Sequence, residues 1–225
     1  MIKKIVNRVA EGSSCQFELV NNIDESILFY RSGISTHQRF LVVLDTDELS
    51  SPSELNAKVQ EITPQAFHKM PSFAKNTDLI LLYRLENINN LYLFENQIFD
   101  IEENAYSLKK HVLYYTEREL EQLNSYLDTG ENLETLIKDP DLFNEYKNNP
   151  IQETAFSLAC RIYVKLPFLE VPAKESNLID PNEIAEKFLS NKNLSEFFNS
   201  IQKQVNDGNE YDSIMEALIN EQMAD

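Results

Sequence analysis

The sequence is poor in the residues that usually announce chemistry. Glycine occurs 4 times in 225 residues, at positions 12, 33, 130 and 208. Neither GxxxxGK[ST] nor GxGxxG is present, so no nucleotide-binding turn of those kinds is expected. Cys15 and Cys160 are the two cysteines, far apart and without a CxxC pair. Such usage reads as two thiols in a reducing compartment. His37, His68 and His111 share no ligand spacing with each other or with a cysteine, and no HExxH occurs, which argues against zinc. No GxSxG elbow is present, and Cys160, on or beside the apolar face of a predicted helix, reads as packing. Long apolar runs are missing too. Phe40–Leu44 and Leu79–Tyr83 are strand length, far below the ~20 residues of a membrane helix. The opening MIKKIVNRVA has no long apolar stretch, so it does not read as a signal peptide. A cytoplasmic location, no membrane and no cofactor are therefore expected.

Cations are scarce: 20 Lys+Arg stand against 37 Asp+Glu, a net charge of −17. Residues 1–115 hold 11 basic and 15 acidic residues, net −4, whereas residues 116–225 hold 9 and 22, net −13. Tight non-specific nucleic-acid binding comes from cations displacing counterions. DNA contact, if any, is thus expected to be indirect, through another protein. The acidic half could also dock a basic partner.

What is present is a globular composition, 42% hydrophobic and 10% aromatic. Alternation predicts strands over Cys15–Val20, Ser26–Arg31 and Arg39–Leu44, with turns between them, which suits an antiparallel meander. Asn21–Asp24 reads as one of those turns. Ser51-Pro52 opens a helix, Asn76–Leu85 reads as another strand, and Leu91–Phe94 and Gln97–Ile101 as paired strands. From Thr116, with Glu119 three residues on, the period becomes helical, and the pair reads as a capping box. Pro150 opens a long helix through Leu166; Asp180-Pro181 and Leu194–Val205 mark two more, and Asp212 caps a last one. The expectation is an α+β protein: residues 1–115 a mainly antiparallel sheet with one or two helices, residues 116–225 an acidic helical domain.

Two groups of residues could carry function. Asp45, at the end of the third strand, and Asp100 with Glu102, on one face of a strand, could supply carboxylates for a Mg²⁺-dependent nuclease; a solvated edge strand explains the same residues. Lys109-Lys110 followed by Tyr114-Tyr115 is a basic–aromatic cluster that could touch a nucleic-acid backbone, or else lie over a tyrosine-lined core.

The stretch Ile98–Leu123, IFDIEENAYSLKKHVLYYTERELEQL, joins the two halves. Its acidic pair, its Leu108-Lys109-Lys110, Val112-Leu113 and Tyr115-Thr116 resemble the middle-component family of bacterial ABC-three-component defence systems, which include Lamassu-type operons. Tyr163–Leu169, YVKLPFL, is similar to that family's apolar KLPF corner. The resemblance implies a non-enzymatic subunit that partners an ABC ATPase of the structural-maintenance-of-chromosomes type and an effector, often a nuclease. It makes Lys109, Lys110, Tyr114, Tyr115, Leu166, Pro167 and Phe168 candidate interface residues. An adaptor or immunity-type protein that masks a basic partner is the other non-enzymatic reading.

Overall fold

The computed structural model describes residues 2–24, 26–34, 38–172, 180–208 and 213–215, with residues 21–24 described by backbone alone. The chain falls into two compact units, Met1–Pro172 and Ala173–Asp225.

The first unit is built on five strands: β1 (Phe17–Asp24), β2 (Ile27–Ser32), β3 (Phe40–Thr46), β4 (Thr77–Leu85) and β5 (Lys109–Thr116). They lie side by side in chain order. β1, β2 and β3 form the expected antiparallel meander, but β3–β4 and β4–β5 are parallel. The sheet is therefore mixed rather than mainly antiparallel, within an α+β protein. The reason lies in the connections. Parallel neighbours need a crossover of a dozen or more residues. Between β3 and β4 the chain supplies α2 (Pro52–Ile62) and α3 (Gln65–His68); between β4 and β5 it supplies a 3-10 turn (Ile88–Leu93) and α4 (Glu95–Glu102).

That last segment corrects the reading of Leu91–Phe94 and Gln97–Ile101 as strands. Ile98 and Ile101 are buried three residues apart while Phe99 and Asp100 are exposed, which is the spacing of a helix face. Asn21–Asp24 continues β1 instead of turning. Pro150 does not start a helix: α8 runs Ala155–Lys165 and is capped by Thr154.

Side chains alternate along the strands and supply two cores. Leu41, Val43, Ile80, Leu82, Leu113 and Tyr115 face one side. There they meet α1 (Ile2–Glu11), α5 (Glu117–Asp128), α6 (Leu133–Ile137) and α8. Phe40, Val42, Leu44, Leu79, Leu81 and Val112 face the other side, with Leu55 and Val59 of α2, Phe67 of α3 and Ile98 and Ile101 of α4. Burial on both faces explains why β3 and β4 read as continuous apolar runs. Four Phe rings anchor the second core, with Phe67 5.0 Å from Phe40 and 5.4 Å from Phe73, and Phe29 6.3 Å from Phe67.

The helix starts follow local chemistry. Ser51 with Glu54 and Thr116 with Glu119 form reciprocal capping boxes. Asp139 caps α7 (Pro140–Asn148), with Pro140 in its first turn. Gly130, just beyond α5, takes φ +92°, the left-handed conformation a helix stop favours.

In the second unit, α9 (Pro181–Asn191) is capped by Asp180, and α10 (Ser195–Asn206) follows. Asp212, the expected cap of a last helix, lies outside the described residues.

Candidate functional site

β5 is one edge of the sheet; it carries Lys109, Lys110, Tyr114 and Tyr115, and Glu102 of α4 bonds to it. Its outward-facing main chain is finished by side chains. Val112 N–H donates to Glu102 Oε1 (2.8 Å), and Arg161 Nη1 donates to Tyr114 O (2.8 Å). Both partners are themselves clamped. Lys165 Nζ bonds both Glu102 oxygens (2.6 and 2.7 Å), and Arg161 Nη2 donates to Glu119 Oε1. Glu119 is fully buried, and its other oxygen accepts from Thr116 N–H (3.0 Å) in the capping box. Arg161 and Lys165, one turn apart on α8, thus tie that helix to α4, β5 and α5 together. The Arg161 guanidinium also lies 4.9 Å from the Tyr114 ring centroid, and burial pushes the Tyr114 hydroxyl up against the pull of that cation.

Lys110 is buried in β5. Its ammonium reaches Asn104 O, Tyr106 O and Leu108 O at 3.2, 2.8 and 3.0 Å, and Asn104 Oδ1 at 3.1 Å. It pins the loop before the strand, where Ser107 has φ +66°. Burial lowers its pKa. Tyr115, Leu166 and Phe168 are buried as well, Phe168 edge-on to Phe17 at 5.1 Å. Tyr114 is half-buried; Lys109 and Pro167 are exposed. Lys109, Lys110, Tyr114 and Tyr115 lie on β5 and Leu166, Pro167 and Phe168 just beyond α8, and most of these seven residues pack within the first unit.

The carboxylates proposed for metal chemistry do not share a face. On α4, Asp100 and Glu102 are two residues apart and so point to nearly opposite sides. Asp100 is exposed, while Glu102 is turned to β5 and neutralised by Lys165. Asp45 pairs with Lys3 at 2.9 Å. Among the described residues no group of three His, Cys, Asp or Glu is placed to hold a metal ion.

A second polar cluster lies at the start of β4, and the sequence reading missed it. Asp78 is buried; Arg39 Nη2 donates to its Oδ2 (2.7 Å), and His111 Nε2 stands 3.8 Å from its Oδ1. Desolvation would raise the Asp78 pKa, but His111 and the Arg39 guanidinium outweigh it and hold the carboxyl below the usual range. Arg39 Nη1 also faces Cys15 Sγ at 3.6 Å. An aspartate opening an otherwise apolar strand was the available signal. Arg161 and Lys165, at i and i+4 on an apolar helix, were the signal for the clamp. Burial raises the Cys160 thiol pKa, away from a reactive thiolate. His68 is exposed, and His37 lies outside the described residues.

No helix among the described residues is long and apolar enough to cross a membrane. Two ion pairs, one with a fully buried carboxylate and one partly solvated, thus close the edge strand of a mixed sheet that is covered on both faces. Residues 38–140 match the family described as ABC-three component (ABC-3C) system Middle Component 1. This match is consistent with a middle component of such a system, and it runs from the residues before β3 into the start of α7. No curated protein and no solved structure matches the chain.

Proposed function

We propose that this chain is a non-catalytic accessory subunit of a bacterial defence complex of the Lamassu type. It bridges a structural-maintenance-of-chromosomes-like ABC ATPase and an effector, in the simplest case a nuclease, and meets DNA only through the complex in the cytoplasm. The match of residues 38–140 to a family of middle components carries this reading, since a middle component implies partner components. Three further features support it. The carboxylates offered for metal chemistry are engaged in ion pairs or dispersed. The net charge of −17 disfavours direct phosphate binding. Lys109 and Pro167 remain on the surface beside the clamp as interface candidates.

The test is co-expression with the other components of the same system, followed by affinity purification and a nuclease assay of each species. A stable complex with the ATPase, and DNA cleavage that needs the effector, is the expected result. Cleavage by this chain alone, lost on Asp45→Ala or Glu102→Ala, would sink the reading.

A further inference from the structure

α1 and the α5–α6 turn leave an open groove of about 560 Å³ within the first unit. Its floor is apolar: Ile5 and Val9 of α1, Leu127 of α5, Leu133 of α6, with Tyr163 and Leu169. Its two lips carry opposite charge. Lys4 and Arg8 stand on the α1 side; Asp128, Glu131 and Glu134 stand on the other. Glu134 is engaged by Lys138. Lys4, Arg8, Asp128 and Glu131 are exposed, and none makes an ion pair with a described residue. The rim of the groove thus carries four charges, two of each sign, that have no ion-pair partner among the described residues, above an apolar floor.

At Glu102, Glu119 and Lys110, by contrast, charges beside apolar surface are engaged by internal partners. The trough has the proportions of a binding cleft, which in general spans roughly 300–1,000 Å³. A helix laid in such a groove anchors apolar residues at i, i+3 or i+4 and i+7, and its flanks meet the two lips.

We infer that this groove docks an amphipathic helix of a partner component. The occupant's chemistry is set by the lips: one apolar row on the floor, a basic row against Asp128 and Glu131, and acidic residues against Lys4 and Arg8. The opposed lips also set its N-to-C direction, since reversing the helix end for end with its apolar row still on the floor puts like charges together. This inference rests on the reading above, that the chain works among partner proteins, and adds which surface is used and by what.

The experiment uses the full-length chain and the other components of its ABC-3C system, purified singly and titrated by biolayer interferometry. Asp128→Lys with Glu131→Lys is expected to weaken binding to one component at least about tenfold and to change its salt dependence. Lys4→Glu with Arg8→Glu is expected to do the same. Glu61→Lys with Glu95→Lys, exposed on the helices of the opposite sheet face, is expected to change nothing beyond the small effect of net charge. All four sites of the lip variants are on the surface, so unchanged thermal melting accompanies the loss. A complex that forms and is indifferent to both lip pairs overturns the groove while leaving the accessory-subunit reading intact. No complex with any component overturns both. Sedimentation and native mass spectrometry of the chain alone cover other occupants. A dimer, or a bound small molecule, that the lip variants abolish would overturn the partner helix.

Discussion

The two edges of the sheet are finished in different ways. At β5 the outward N–H of Val112 and C=O of Tyr114 are taken by Glu102 and Arg161, side chains that are themselves ion-paired. At β1 no such arrangement occurs among the described residues, and Leu19 and Val20 are 45% and 42% exposed. An open edge is a template for pairing with another strand. β5 avoids that with charge brought in from helices on either side, and this ties α8 to the sheet at the same time. Edge protection and helix docking are one device here. The residues that carry it, Arg161 and Lys165, lie beyond the 38–140 segment that matches the family.

The comparison breaks most severely at Arg161. Its replacement by alanine leaves Glu119 charged and unpaired in the core, at a cost of about 3–5 kcal/mol. Urea unfolding is expected to show that loss, and Arg161→Lys is expected not to restore it, because one ammonium cannot serve both Glu119 and the Tyr114 carbonyl in the guanidinium geometry. Next in size is Lys165→Ala. The Lys165–Glu102 pair is partly solvated, 18% and 19% exposed, so the cost falls to about 1–2 kcal/mol.

pH sharpens the same comparison. Burial, with Glu11 adding to it for Tyr30 and Asp45 for Tyr115, lifts both hydroxyls from 10 to about 12. Each folded pKa is raised, so the associated stability is whole below pH 10 and is lost as pH climbs toward 12. Tyr30→Phe and Tyr115→Phe are expected to flatten alkaline unfolding followed by circular dichroism. At the acid end the sign is opposite. Asp78 is depressed, so its contribution is present above the ordinary aspartate value and disappears as pH falls through the lowered one. Asp78→Asn is expected to remove that acid-side slope.

The smallest effect is expected at the open edge. Leu19→Lys changes a largely solvated side chain, and its unfolding free energy is expected to move by no more than about 0.5 kcal/mol. A large loss there would mean that the β1 edge is covered after all.

Strand existence was legible because Phe40–Leu44 and Leu79–Tyr83 are apolar, short and bounded by turn residues. The caps at Ser51 and Thr116 were legible because a capping box is a local hydrogen-bond pattern. What the sequence hid was context. Gln97–Ile101 alternates well enough for a strand, and only the isoleucine pair at 98 and 101, pressed on the second core, makes it a helix. The Lys109–Lys110 pair looked like one basic patch, yet strand alternation sends Lys109 to solvent and Lys110 into a ring of carbonyls. The partners of Asp78 and Glu119 come from 39 and 42 residues away, beyond any spacing rule.

The edge-on contact between Phe17 and Phe168 has a consequence for how the protein is made. A ribosome delivers the first ring long before the second, so α1 and β1 emerge with their apolar sides bare and wait for nearly the whole first unit to follow. Native packing of that ring pair has to wait until α8 and the residues just after it have been made, and a chain stalled before α8 would be a substrate for chaperones and proteases.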